Sequence, residues 1–344
     1  MQQFMGETRV SESLRFSHDQ MPGIRRTGTK RFRYRQHDDK PVGKADLDRI
    51  RRLAIPPAWT DVWISADPRG HLQATGRDAK GRKQARYHDE FRRERDNLKF
   101  SHLAEFAMAL PRLRQRIEDD LRDRNATQER QTALVVNLLD RTAMRVGNDE
   151  YRRANGSYGL STFRSRHAKV RAGDVVFSFD GKSGQRHRVE IHDRRLARLV
   201  GQCQDLPGQT LFSYLEADDQ PHAVTSEKVN DYIRAATSGD FTAKTFRTWI
   251  ATTDAAQELA VSASEPSKAG LLNAIDHAAS LLGNTRAVCR ASYVHPKIQS
   301  AYLDGELDAM WAAGPKRPTA FLMLGERRTL HVLTSLRVAR VEQG

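Results

Sequence analysis

Four short stretches of this 344-residue chain hold side chains suited to phosphoryl chemistry: AMRVGNDEY (143–151), FDGKSG (179–184), FTAKTFRTW (241–249) and NTRAVCRASYVH (284–295). Cutting a phosphodiester without a metal asks three things of a protein. The attacking group must be activated, fixed positive donors must meet the phosphoryl oxygens as charge develops, and the leaving oxygen needs a proton. Arginine suits the second task, because its planar fork donates two hydrogen bonds to phosphate and stays charged. Lysine suits the third when its pKa is lowered, and a tyrosine, with a pKa of roughly 10 when unperturbed, can attack once nearby cations favour the phenolate. Singly, these residues have plainer readings: Arg145 and Arg247 as ion-pair partners of Asp149 or Asp254, Lys182 as an exposed hairpin lysine, Tyr293 as a packing residue with a bonded hydroxyl. Spacing alone does not choose between the two.

Composition narrows the partner. Lys and Arg total 57 against 43 Asp and Glu, a net charge of +14 and a pI near 10.0, the balance of a protein that meets a polyanion. The basic residues are dispersed, with no Lys/Arg-rich amphipathic stretch, so nucleic acid is favoured over an anionic membrane. No run of about 18 apolar residues occurs and the amino end lacks an apolar signal core, so a cytoplasmic location is expected. Cys203 and Cys289 form no CxxC pair and no HExxH is present, so neither a disulfide framework nor a metal site is expected. The GKS at 181–183 is not a phosphate-binding loop, since that motif needs glycine where Val176 stands; no nucleotide cofactor is expected.

The elements that must hold these residues read as two domains, as the length also favours. Residues 1–21 read as a loose polar arm. Residues 22–94 are cut by Pro and Gly into short alternating segments, with a helix around 44–54, and read as a small β-rich domain. Residues 95–344 read as a larger, mainly helical domain. Leu103, Phe106, Leu110, Leu113 and Ile117 form one helical face that Pro111 threatens to break; a second helix is expected from Thr127 to Val146, stopped at Gly147. Residues 174–192 alternate on either side of DGKSG as a hairpin, helices are expected near 226–237, 244–260 and 267–282, and GPKRP (314–318) sets off a short, partly helical C-terminal extension. The fold class is α+β.

Taken together and in order, the motifs resemble type IB DNA topoisomerases of the small poxvirus-like kind found in bacteria, from about Gly23 to Leu307. The resemblance is carried by GIRRTGTKRFRYR, IPPAW and QATGRDAKGRKQARYH in the first domain, and by RVGNDEY, GLSTFRSRH, FDGKSG, FTAKTFRTW and LLGNTRAVCRASYVHP in the second. It implies that Tyr293 attacks a backbone phosphate to give a 3′-phosphotyrosyl link and a free 5′-hydroxyl. Arg145 and Arg247 would hold the non-bridging oxygens and Lys182 would protonate the departing oxygen. Asn284 stands where poxvirus enzymes have a histidine; an amide can donate a hydrogen bond to phosphate but cannot carry charge. His277 reads as structural and His295 has no matching role. Relaxation without ATP or metal, by a monomer at the nucleoid, is what the family suggests. A tyrosine recombinase and a DNA-binding protein that has lost catalysis are the alternatives.

DNA contacts are implied at Lys80, Arg82, Gln84 and Tyr87 in the first domain and at Tyr151 and Lys244 in the second. Lys and Arg would position on phosphates and Gln could read an adenine edge. The plainer reading of each is a solvated surface residue, and for Tyr87 a packed strand residue. Two departures stand out: Ala85 where relatives have tyrosine, and Arg286 where proline usually follows NT. The architecture expected is a two-domain clamp around duplex DNA, with strongly salt-dependent binding.

Overall fold

The computed structural model describes residues 13–29, 31–216 and 220–341, which cluster into two compact units divided between Lys99 and Phe100. In the first, strands β1 (Gly23–Thr27), β2 (Arg33–Arg35), β3 (Thr60–Ser65), β4 (Leu72–Arg77) and β5 (Lys83–Tyr87) form an antiparallel sheet in the order β2-β1-β3-β4-β5. Alternation puts Ile24, Val62, Ile64 and Ala74 on one buried cluster, which Ile50 of helix α1 (Lys44–Arg52) completes. Arg49 ties that helix to the sheet, donating to Gln73 Oε1 and to the Ser65 carbonyl, both at 2.7 Å.

The described part of the expected arm is packed rather than loose. Arg15 N donates to Arg69 O at 2.8 Å, Leu14 is buried, and Ser17 Oγ donates to Leu72 O at 3.0 Å. Backbone and hydroxyl bonds do the anchoring, and hydrophobic periodicity cannot register those; residues 1–12 lie outside the described residues. The charged stretch after the sheet forms helix α2 (Asp89–Ser101), which the sequence pattern had not announced.

In the second unit, α3 (Leu103–Asp120) runs straight through Pro111, because its apolar stripe is fully buried and packing offsets the lost backbone bond. Helix α4 (Gln128–Thr142) ends earlier than expected: Ala143 takes the left-handed conformation (φ 54°), and Val146 and Gly147 lie beyond the helix. Next come α5 (Asp149–Asn155), the three-stranded sheet β6 (Ala168–Arg171), β7 (Asp174–Asp180) and β8 (Arg186–His192), and α6 (Arg194–Gln204) packed on it. Strands β7 and β8 are the expected hairpin. A small ribbon, β9 (Ser213–Leu215) with β10 (Pro221–Ala223), leads to α7 (Ser226–Thr237), α8 (Ala243–Val261) and α9 (Lys268–Leu282), within a residue of the expected spans.

The chain closes with α10 (Arg286–Ser292), α11 (Pro296–Leu303), α12 (Leu307–Ala313) and α13 (Leu324–Val341). Helix α13 is part of the core rather than an extension. Glu326 accepts from Arg114 of α3 at 2.7 and 2.8 Å and from Trp249 Nε1 of α8 at 3.1 Å, with Val332 and Leu333 buried beside them. Asp140 holds the other side of Arg114 at 2.7 Å. Cys203 and Cys289 are buried free thiols, pushed up by burial to about 12 and about 11, which leaves them as packing residues. No described helix is long and apolar enough to cross a membrane.

Candidate active site

The early end of α4 builds the first part of the site. Beyond Ala143 the chain is pinned to the 159–161 segment, with Leu160 N donating to Arg145 O at 3.0 Å and Ser161 N to Val146 O. A Cβ at Gly159 would sit 2.5 Å from Arg145 O, so only glycine allows this approach. Arg145 is fixed there, and its Nη2 donates to Asn284 Oδ1 at 3.0 Å. Asn284 follows Gly283, whose left-handed conformation (φ 59°) stops α9; its own Nδ2 is buried without a partner among the described residues.

Arg247, on the second turn of α8, is 5% exposed. One Nη donates to the Ala143 carbonyl that ends α4, the other to the Leu282 carbonyl that ends α9 at 2.9 Å, while Nε is buried with no partner among the described residues. Helix C-termini carry partial negative charge, so two of them converging on a buried guanidinium replace the carboxylate it would otherwise need. Burial lowers the Arg247 pKa, Arg145 lowers it further, and Tyr293 works the other way. The Arg247 guanidinium lies 5.3 Å from the Tyr293 ring centre. Neither arginine pairs with a carboxylate among the described residues: Asp149 is taken by Arg152 and Arg153, and Asp254 by His277.

Tyr293 is half-buried at the C-terminus of α10. Its carbonyl accepts from Thr252 Oγ1 at 3.0 Å, and Thr252 Oγ1 in turn accepts from His295 N at 3.1 Å, so a fully buried hydroxyl one turn and a half beyond Arg247 on α8 fixes the backbone on both sides of Val294. Arg286 is the first residue of α10 and pairs with Asp276 of α9, so the turn is kept where proline would otherwise start the helix. His295 caps α11 and its ring lies against Phe100.

Lys182 stands at the tip of the β7–β8 hairpin, exposed and without a hydrogen bond or ion pair among the described residues. The preceding Gly181 lines a cavity of about 30 Å³ together with Arg145, His187 and Arg247. His187 stacks on Phe179 with ring centres 5.2 Å apart, and its Nε2 is buried without a partner among the described residues. Burial, then Arg145 and Arg247, lower its pKa, so the imidazole is neutral near pH 7. At the hairpin base, Asp174, Glu190 and His192 have ligand atoms within 4.8 Å of one another, but His192 bonds Asp174 and Arg188 bonds Glu190.

Within the first unit, the residues marked for nucleic-acid contact do not form one cluster. Lys80, Arg82 and Gln84 gather at the β4–β5 turn around Asp78, which accepts from the backbone of Lys80 and Arg82, from Arg82 Nε at 2.8 Å and from Gln84 Nε2 at 3.0 Å. The Arg82 guanidinium is the largest influence holding Asp78 down at about 2. Tyr87 lies at the far end of β5, on the strand face opposite to Gln84, 40% exposed and against Phe91. Ala85 shares the Tyr87 face. In the second unit, Tyr151 lies on α5, where Asn148 caps its N–H at 3.0 Å, and Lys244 is exposed on the first turn of α8. Sequence reading missed Asp78, Thr252 and His187. Each acts through a contact distant in the chain or through a turn, and only the Asp–x–x–Gly turn signal could have pointed to Asp78.

Residues 88–308 match the family model described as eukaryotic DNA topoisomerase I, catalytic core, and residues 31–78 match that of the bacterial DNA topoisomerase IB N-terminal domain. The chain is 33% identical over 287 residues to DNA topoisomerase 1B of Acanthamoeba polyphaga mimivirus, covering 80% of this chain and 85% of the relative. It is 24% identical over 205 residues to DNA topoisomerase 1 of Drosophila melanogaster, covering 56% of this chain and 20% of that protein.

Proposed function

The chain belongs to the type IB DNA topoisomerase family, and from that premise we propose that it relaxes supercoiled duplex DNA by transient cleavage of one strand, with Tyr293 as nucleophile. The Tyr293 Oη–P bond forms as the P–O5′ bond breaks. The phenolic proton leaves to solvent and a proton from Lys182 Nζ goes to O5′, giving a 3′-phosphotyrosyl link and a 5′-hydroxyl. Arg145, Arg247 and Asn284 donate to the non-bridging oxygens as charge develops. After strand rotation the 5′-hydroxyl attacks the same phosphorus and the steps reverse. The link conserves the energy of the broken bond, so the scheme calls on neither ATP nor a metal. Lys80, Arg82, Gln84, Tyr87, Tyr151 and Lys244 would grip the duplex, with one molecule sufficient for the cycle at the nucleoid.

The observation that supports this reading most is the convergence of Arg145, Arg247 and Asn284 beside Tyr293, with neither arginine paired to a carboxylate among the described residues and with unpartnered N–H groups on Arg247 and Asn284. Buried polar groups without partners call for an explanation, and an anionic ligand supplies it. The test is relaxation of supercoiled plasmid in EDTA without ATP. The parent relaxes it, while Tyr293→Phe binds duplex DNA with parental affinity and leaves it supercoiled. A Phe variant that still relaxes DNA rules out the assignment; an inert parent that binds tightly returns the chain to a DNA-binding role.

A further inference from the structure

The imidazole of His187 fills the space between two glycines that lie far apart in the chain. A Cβ on Gly181 would stand 2.5 Å from His187 Cδ2 and 2.7 Å from Nε2; a Cβ on Gly283 would stand 2.4 Å from Cε1 and 3.2 Å from Nδ1. One edge of the ring therefore rests on the backbone just before Lys182, and the other on the backbone just before Asn284. Its face is fixed by the stack on Phe179, its cross-strand partner in the hairpin. Apart from the imidazole, Tyr158 N donates to Asp180 O at 2.8 Å at the entry to the tip, and the other bonds of the tip are its own. The tip is closed by Gly181 N to Gln185 O at 2.8 Å and Gly184 N to Gly181 O at 3.1 Å, both local, and the Lys182 side chain has no partner among the described residues. The imidazole thus stands between the backbone that precedes Lys182 and the backbone that precedes Asn284.

We propose that His187 is a positioning residue that docks the hairpin tip on the C-terminal turn of α9 and so places Lys182 over the leaving oxygen. The inference rests on the general-acid reading of Lys182. A proton donor displaced by about an ångström loses much of its rate advantage, and general acid catalysis as a whole is worth about 10²–10⁴-fold. Loss of the wedge is therefore expected to cost one to two orders of magnitude in cleavage, all of it in the step that needs the proton.

The experiment is single-turnover cleavage of two duplexes, one with the ordinary 5′ oxygen at the scissile bond and one with a bridging 5′ sulfur, whose thiolate departs without a proton. His187→Ala should cleave the oxygen duplex ten- to a hundredfold more slowly than the parent and the sulfur duplex within about threefold of it, with duplex affinity unchanged. Gly181→Ala, which keeps the imidazole but pushes a methyl into it, should give the same pattern and stands in if His187→Ala fails to fold. Equal slowing on both duplexes, or no slowing on the oxygen duplex, overturns the proposal. Lys182→Ala separates the two claims. If it remains slow on sulfur, the general-acid reading itself fails; if sulfur restores it but not the His187 and Gly181 variants, only the positioning role fails.

Discussion

Arg247→Lys keeps the charge and removes the planar fork, and the structure predicts that the charge alone is not enough. The guanidinium spans the carbonyls that end α4 and α9, with Leu282 O at 2.9 Å, and still has Nε to offer. An ammonium is a compact donor on a flexible stem, and it cannot hold two helix ends and a phosphate oxygen in one plane. Losing one preorganised donor to a developing charge costs about 2.7–4 kcal/mol, or 10²–10³ in rate. Arg247→Ala should show all of that and Arg247→Lys most of it, in single-turnover formation of the covalent adduct on a nicked duplex. The alanine variant also leaves two buried carbonyls without a donor, at about 1–3 kcal/mol each. At roughly 2–4 °C per kcal/mol for a unit of this size, its melting temperature should fall by at least 4 °C, so rates are to be read well below that transition. Arg247→Lys within threefold of the parent rate and with unchanged melting would refute the reasoning, because the fork would then be doing nothing a point charge cannot.

Thr252→Val should lower the cleavage rate about tenfold, since the Tyr293 carbonyl and the His295 N–H lose the hydroxyl between them at a cost of about 1–3 kcal/mol; Thr252→Ser should restore it, and a valine variant with parental rates counts against the clamp. Glu326 is raised by burial but held below its ordinary pKa by Arg114, so its contribution to stability is present above the unfolded value of 4.5 and lost as pH falls through the lower folded one. Glu326→Gln should melt lower than the parent at pH 7, by an amount set by the roughly 3–5 kcal/mol of a broken buried pair, and the gap should close in acid; a gap independent of pH defeats the linkage. Asp78→Asn removes the carboxylate that Arg82 and Gln84 now bond, so duplex binding measured by anisotropy should tighten and its salt slope steepen by about one; weaker binding would show that Asp78 aims those side chains rather than restraining them.

Regular elements were legible where a periodic apolar face met a clear cap. The helices at 226–237, 244–260 and 267–282 and the 174–192 hairpin follow from pattern alone. Errors fell where a tertiary contact outweighed the local signal. Gly147 is an eligible helix stop, yet α4 ends four residues earlier because the 145–147 segment bonds to Gly159–Ser161. Residues 13–21 looked free because hydroxyls and backbone hold them, and α13 looked appended because a buried glutamate, Glu326, ties it to α3 and α8. The site divides in the same way. Arg145, Lys182, Arg247, Asn284 and Tyr293 were marked as a set, and the structure brings Arg145, Arg247, Asn284 and Tyr293 together; Lys182 stands exposed at the hairpin tip, next to Gly181 of the cavity that Arg145 and Arg247 line. Thr252 sits in an apolar helix and His187 in an alternating strand, so no pattern distinguishes them from ordinary packing.

The site shows why its residues are scattered over four elements. A buried arginine ordinarily finds a carboxylate, as Arg114 does twice over in the same unit. Such a pair is satisfied and has nothing left for a ligand. Arg247 instead has its positive charge balanced by two helix ends, which are fractional charges, and Arg145 leans on a neutral amide. The two cations also repel each other, so Arg145 adds to the burial that lowers the pKa of Arg247. On the proposed mechanism, a phosphate entering between them would relieve a repulsion and complete hydrogen bonds rather than displace an existing partner. It would gain more as its charge grows toward the pentacoordinate state, which is the condition for lowering a barrier rather than merely binding. Holding fractional counter-charges in place requires two helices to end at one point, and that requires the whole helical unit, with Gly159 to let the backbones approach and Gly181 and Gly283 to make room for the His187 ring.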